Sequence, residues 1–404
     1  MSEKRKLRIL ACPANEGGCA YYRIIMPMQK LLEKFPDDVE VKFDMNPLGF
    51  DTEKKALDPD FEFESLKWAD VVFFQNIHTF GGPYTLALLE KAAEHNCFTH
   101  YDTDDLLTEL YTGHRLYQTY IDMNLSELTK IIYRNADLVT VTQAKFAERI
   151  APFCGRALAV VKNAIDFELP GWNARHTPPR TKKHCRFGWV GGIHHEEDVK
   201  EFRSVVMGVN SKVGSENTEW MMFGRPPLAP GDKGDWQQDV WDNYEKHLMA
   251  GVHKSKNNLK FYPAMPAAEY GRMFTHFDAS IAMLQWNNFN DSKSEIKLME
   301  SGRYGLPLIA TDCGAYSEVI KNGETGFLIS KDNPRAEWIK ALTICAKNPK
   351  LRKEMGANLK QIVDEYYDIN KVVEGRLHLY RDLMKMKKDA LEKQEVPAEE
   401  NAKV

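Results

Sequence analysis

Short apolar runs alternate with longer amphipathic stretches over most of the chain. "LRILAC" leads through a Gly-containing loop into a helical stretch from about Ala20 to Lys34. "VEVKF", "DVVFF" and "CFTHY" follow, each apolar and rich in β-branched or aromatic residues, with "YTLALLEKAAEH" as a helix between the last two. "ADLVTVT", the helix "QAKFAERIAPF" and the strand "ALAVVKN" complete this half. The order strand, helix, strand predicts an α/β domain with a parallel sheet. Residues 170–184, "PGWNARHTPPRTKKH", hold three prolines and no periodicity, the composition of a linker. A second alternation starts at "CRFGWVG" and continues through "TEWMMFG", "LKFYPA", "DASIAML", "LPLIAT" and "GFLIS". The expected plan is an N-terminal domain over 1–169, the linker, and a C-terminal domain over 185–369. A helix over 370–388 is expected to pack back toward the first domain, and 389–404 reads as a charged, disordered tail. Two parallel-sheet domains in series imply a cleft fed by loops at the carboxyl ends of their strands.

Composition agrees with this plan. The chain has 404 residues, more than one core usually supports, with 43% hydrophobic and 28% charged residues. No apolar run approaches a membrane span. At the start, Pro13, Asn15 and Glu16 interrupt the apolar stretch, so it reads as a tail and a first strand, not a secretory segment. Seven cysteines, an odd number without C-x-x-C spacing, argue against a disulfide framework or a zinc site and for a reducing, cytoplasmic setting. The net charge of -4 supplies no overall basic field to attract nucleic acid, although a local basic cleft is compatible with it.

One stretch changes the picture. "KSEIKLMESGRYGLP", residues 293–307, places Lys293, Lys297 and Glu300 at a helix start, after the strand "DASIAMLQW" and the loop "NNFNDSK". A helix N-terminus offers unpaired N–H groups and partial positive charge, which suits a diphosphate. Lys293 and Lys297, a turn apart, add two formal charges, and Glu300 lies near the same face. A carboxylate accepts two hydroxyl hydrogen bonds at once, as a ribose diol presents them. On helical spacing alone, an exposed helix with solvated Lys–Glu pairs is the favoured reading.

The surrounding run, "LMESGRYGLPLIATDCGAYSEVIKNGETGFLI" (298–329), resembles the donor-binding segment of GT-B glycosyltransferases, especially the retaining family 4, or group 1, enzymes. The matching elements are Glu300, Gly305-Leu306-Pro307, the strand "LIATD", Gly314 to Glu318, and Gly326-Phe327-Leu328. The resemblance implies two Rossmann-like domains facing a central cleft. Glu300 would bind the nucleotide ribose, and Lys293, Ser294 and Lys297 the diphosphate of a UDP- or GDP-sugar. No cofactor or metal would be required. One position departs from the pattern. Ser292 stands eight residues before Glu300, where the family carries a glutamate against the sugar, and neighbouring Asp291 is a conceivable substitute.

The resemblance is looser elsewhere. "GWVGGIHHEEDVKEF" looks like the start of the family's second domain, where Gly191 and Gly192 would let backbone approach the donor phosphates. The basic residue usual after that turn is absent, and His194 or His195 stands nearby. Arg225 follows "WMMFG" at another strand end. On the acceptor side stand Gly17 and Gly18 in "PANEGGCAYYR", Arg23 on the first helix, and His78 in "FFQNIHTFGG". "HYDTDDLL" sets Asp102 and Asp104 directly after a strand, either as helix caps or as an acceptor contact or general base. The expected activity is transfer of a sugar to a hydroxyl, of a glycan or of a hydroxymethylated base in DNA. "GCAYYRIIMP" and "YDTDDLL" resemble features of divergent members, including phage-encoded ones acting inside a bacterial host. An epimerase of the same fold and a non-catalytic nucleotide-sugar-binding protein are the alternatives.

Overall fold

The computed structural model describes residues 5–77, 83–177, 181, 184–226 and 236–395. The first half builds β1 (Leu7–Cys12), β2 (Val39–Phe43), a small hairpin of β3 (Phe50–Asp51) and β4 (Ala56–Leu57), and then β5 (Val71–Phe74), β6 (Phe98–Asp102), β7 (Leu138–Val141) and β8 (Ala157–Val160). The second half builds β9 (Cys185–Val190), β10 (Thr218–Phe223), β11 (Leu259–Tyr262), β12 (Ala279–Ala282), β13 (Leu308–Thr311) and β14 (Gly326–Ile329). Two six-stranded sheets result, ordered β2-β1-β5-β6-β7-β8 and β11-β10-β9-β12-β13-β14, and every pairing within them is parallel. β5, β7, β9, β12 and β13 are buried along their whole length, which is why they read as continuous apolar runs instead of alternating ones.

The strand order fixes where a ligand can sit. The order in which strands are added reverses between β1 and β5 in the first sheet and between β9 and β12 in the second, while the strands stay parallel. At such a switch point the flanking loops diverge and leave a crevice at the carboxyl ends of the strands. The loops after β1, β9 and β12 carry "ANEGGC", "GGIHH" and "KSEIK", so the topology brings the sequence's suspected chemistry to the two crevices.

The halves share apolar contacts. Phe289 belongs to the second half but is buried in the core of the first, 6.0 Å from the Tyr111 ring and 4.9 Å from the His114 ring. The C-terminal helix, Ile369–Glu395, lies against the Met26–Lys34 helix and the inner strands β5 and β6 of the first sheet. There Tyr380 Oη lies 2.8 Å from His100 Nδ1, and Lys387 pairs with Asp137 at 2.6 Å. This helix runs seven residues into the stretch expected to be disordered. Residues 389–395, "DALEKQE", are all compatible with a helix and mostly strong helix formers, and the first proline after them is Pro397. Residues 396–404 lie outside the described residues.

Candidate active site

The charged helix of the second half occupies Ile296–Arg303, following β12 and a short helical turn at Asn288–Asp291. No side chain caps its N-terminus. Its C-terminus is closed by Gly305 at φ +64°, with Leu306 N donating to Ser301 O at 3.1 Å. That left-handed residue explains the Gly-Leu-Pro stop, which turns the chain into β13. Gly314, at φ +61°, donates its N–H to Asp291 Oδ1 at 3.0 Å. A Cβ there would press on the carbonyls of Asn290, Asp291 and Lys293, so the glycine lets the β13 loop clasp the turn that presents Lys293.

Glu300 is fully buried at the centre of this region. Its Oε2 accepts from Lys297 Nζ at 3.1 Å, and its Oε1 accepts from Tyr22 Oη of the first half at 3.1 Å. Lys297 also donates to Tyr270 Oη at 2.9 Å. Burial opposes the Lys297 charge, but the Glu300 carboxylate and Tyr270 outweigh it and hold its pKa above the ordinary lysine value. Burial pushes the Glu300 carboxyl up, against the pull of Lys297 and Tyr22. Among the described residues Lys293 pairs with no carboxylate; its Nζ lies 4.9 Å above the Phe289 ring. Ser294 Oγ accepts from Asn163 Nδ2 of the first half at 2.9 Å.

Ser292 is buried and bonds back to Asn288 O at 2.9 Å. Asp291 is no substitute for the missing sugar carboxylate. Its oxygens are taken by Gly314 N, by Lys145 at 3.1 Å and by Arg149 at 3.1 Å, which ties it to the seam between the halves.

After β9, Gly191 lies against the Trp189 ring, whereas a Cβ at Gly192 would meet nothing within 4 Å. His195 follows, with Nδ1 2.8 Å from Asp198 Oδ2. Asp198 is buried, and its Oδ1 accepts from Gln285 N at 2.8 Å and Asn290 Nδ2 at 2.9 Å. Arg225 turns out of the crevice, pairing with Asp242 at 2.6 Å and lying 4.9 Å over the Phe261 ring.

On the first-half side, Gly17 and Gly18 stand at the mouth of the β1 loop, with open space beside Gly18. A π-helical segment, Tyr21–Ile25, then carries Tyr22 and Arg23. Arg23 and Asp102 are both buried and form a two-pronged pair at 2.9 and 2.6 Å. Arg23 also donates to Val161 O at 2.6 Å and Asn163 Oδ1 at 3.2 Å, and Thr140 Oγ1 donates to Asp102 at 2.5 Å. Asp104 lies near enough to feel this pair but takes none of its hydrogen bonds, facing the Cys19 thiol and Asp105 instead. Burial and Asp105 push its pKa up to about 6, against a hydrogen bond from Cys19. His78 lies outside the described residues. Tyr22, Tyr270, Asn163 and Asp198 escaped the sequence reading. Only Asp198 left a signal there, three residues after His195 at a helix start.

Two doubly wound parallel sheets, with facing crevices and a lysine-bearing helix after β12, define the GT-B class of fold. Residues 233–362 match the model of the family "Glycosyl transferases group 1". Sucrose-phosphate synthase from Thermosynechococcus elongatus superposes with a TM-score of 0.66 at 13% identity, covering 95% of this chain and 100% of that one. HepE from Anabaena, solved with UDP and glucose, gives 0.62 at 13% identity, covering 93% and 99%. In sequence, the putative glycosyltransferase YtcC of Bacillus subtilis is 23% identical over 152 residues. That match covers 37% of this chain and spans only 36% of the relative. Among the described residues, no group of three or more His, Cys, Asp or Glu is placed to hold a metal, and no helix is long and apolar enough to cross a membrane.

Proposed function

We propose that this protein is a glycosyltransferase that moves a sugar from a nucleotide-diphosphate sugar to a hydroxyl of a glycan. The observation that carries the proposal is the Lys297–Glu300 pair at the second switch point, with Lys293 beside it and, among the described residues, paired with no carboxylate. Glu300 would take the ribose diol, and Lys293, Lys297, Ser294 and the free amides of the Ile296–Arg303 helix the diphosphate. As the glycosidic bond breaks, charge accumulates on the leaving phosphate, and fixed ammonium groups and amides stabilise it most where water is excluded. UDP in the HepE neighbour supports a nucleotide-sugar donor, with uracil the first base to test. Seven unpaired cysteines fit a reducing cytoplasm.

Arg23 and Asp102 are positioning residues in this proposal. They fix the π-helical segment and, through Asn163, the Ser294 hydroxyl. If the leaving phosphate oxygen accepts the acceptor's proton, the sugar keeps its configuration. A second outcome has one observation behind it: Asp104, with its pKa raised to about 6, is poised to act as a base at neutral pH, which would allow inversion.

The test follows nucleotide release from UDP- and GDP-sugars with and without glycan acceptors or hydroxymethylated DNA, and then determines the product anomer. Release that needs a glycan supports the proposal. Release that needs the DNA moves the acceptor to a nucleobase. An epimerised donor in the absence of acceptor, or no turnover with any pair, overturns it.

A further inference from the structure

The β9 crevice holds a side-chain arrangement that the donor-site reading leaves unused. His195 has one ring nitrogen clamped by Asp198, while Nε2 has no partner among the described contacts. Asp198 is itself fixed on its other oxygen by Gln285 N and Asn290 Nδ2. Both of those bonds come from the β12 loop, so the carboxylate ties the β9 turn to the loop that presents Lys293. The His195 backbone N–H donates to Tyr244 Oη at 3.1 Å, and that hydroxyl donates to Gly192 O at 3.0 Å. The Trp189 ring stands edge-on to the imidazole at 5.5 Å. Backbone and ring are therefore both held, and one nitrogen is left over.

The charges facing this imidazole come from several elements. Asp198 and His194 lie on its own turn, and Lys293 and Lys297 come from the segment after β12. Asp105 and Arg115 act on the neighbouring His194, and the His114 ring stacks on it at 6.2 Å. Burial is the leading cause that places His195 below the ordinary histidine value, and Lys293 and Lys297 add to it against Asp198. Burial pushes the Asp198 carboxyl up, but its bonds to His195 and Gln285 and the nearby Lys293 together hold it below the ordinary carboxylate value, so it stays ionised. It therefore accepts from Nδ1–H, and the neutral imidazole presents a lone pair at Nε2.

We infer that His195, oriented by Asp198, is a donor-binding group that takes up one proton as the diphosphate of a nucleotide sugar binds. The inference rests on the proposed donor site. An anion between Lys293 and Lys297 cancels the two charges that disfavour the imidazolium, and the Asp198 carboxylate then stabilises it. A solvent proton goes to Nε2, which becomes an N–H donor to a phosphate oxygen. No covalent bond forms or breaks. The β9 crevice thereby supplies a positive group only when the donor is present, where a permanently charged side chain would stand facing Lys293 in the empty site. Asp198 is a positioning residue: it sets the tautomer and the direction of Nε2.

The experiment titrates UDP-glucose and GDP-mannose, whose diphosphate diesters carry no proton that titrates near neutrality, into the full chain by calorimetry. Measurements at pH 7.5 in buffers of differing ionisation enthalpy count the protons exchanged. The expected result is net uptake approaching one proton and affinity that weakens up to about tenfold per pH unit above neutrality. His195→Gln should bind more weakly, with no proton uptake and no pH dependence from this source, and Asp198→Asn should reduce the uptake. Binding by the unaltered protein without proton uptake overturns the inference and leaves the donor site standing, whether or not either variant folds. Failure of both diesters to bind overturns the donor-site reading and the inference with it.

Discussion

The two crevices each receive a basic residue and a carboxylate soon after a strand, yet the structure treats the pairs differently. In the first half, Arg23 and Asp102 satisfy each other with two prongs, and Val161, Asn163 and Thr140 take up the remaining capacity. In the second half, Lys297 and Glu300 meet through a single contact, with Lys293 and His195 beside them carrying unused donor or acceptor capacity. A saturated buried pair has nothing left for a ligand. An unsaturated cluster at a switch point has bonds to give, at the cost of holding charge in a poorly solvated place. The comparison thus separates a group that shapes a site from one that works in it.

The sharpest way to break that comparison is Asp102→Asn. If the pair is architectural, the variant leaves a buried guanidinium without its counter-charge and should lose about 3–5 kcal/mol of stability in urea denaturation. The fraction that remains folded should bind UDP-glucose nearly as the parent does. A variant of unchanged stability but abolished turnover would return Asp102 to the list of reacting groups. The second half should show the reverse. Lys297→Met keeps the length and loses the charge, and kcat/KM should fall on the order of a hundredfold or more, the scale of one preorganised charge-stabilising donor. Unchanged kinetics would sink the diphosphate assignment.

Asp104 sharpens the comparison on the first-half side, where it is the ionisable group that the Arg23–Asp102 pair does not absorb. As a base it must be ionised, so kcat/KM should rise with pH through about 6 and level off above it. Asp104→Asn should remove that limb and depress the plateau. The stability sign runs the other way. The folded carboxyl holds its proton to higher pH than the unfolded one, so stability declines as pH climbs from the ordinary carboxylate range through about 6. Asp104→Asn should flatten that decline in thermal unfolding. A limb that persists in the variant belongs to another group.

The sheets, and the helix and turn that carry the residues proposed to bind the nucleotide, were readable from the chain because they rest on local signals. Buried parallel strands leave unbroken apolar runs, and the Glu300-to-Gly326 spacing reflects a helix end, the strand β13, a short helix and the left-handed Gly305, Gly314 and Gly323. Partnership was not readable, because it is decided by residues far apart in sequence. Arg23 and Asp102 are separated by 79 positions, and Tyr22 and Glu300 by 278. Nothing in "HYDTDDLL" says which aspartate turns inward and which faces Cys19. Arg225 followed a strand as expected of a cleft residue, but Asp242 and Glu245 on the Trp236–Leu248 helix draw it away. The C-terminal helix was cut short on charge alone, where helix propensity was the better guide.

Tyr22 joins the two regions and gives the smallest expected effect. Its hydroxyl occupies one oxygen of Glu300, which the proposal assigns to the ribose, so in the empty protein the first half caps the donor site. Tyr22→Phe removes one hydrogen bond to a buried carboxylate, which should cost the unliganded protein about 1 kcal/mol. If ribose replaces Tyr22 on binding, the liganded state loses nothing, and the Kd for UDP-glucose should improve by up to about fivefold. If Tyr22 and the ribose share Glu300, the Kd should instead rise by a similar factor. Improved affinity makes the tyrosine a competitor that the donor displaces, and the opening of the two halves then becomes part of donor capture. Weakened affinity makes it part of the binding site, so the carboxylate reaches both partners at once. An unchanged Kd beside an unchanged stability would remove the Tyr22–Glu300 contact from the argument altogether.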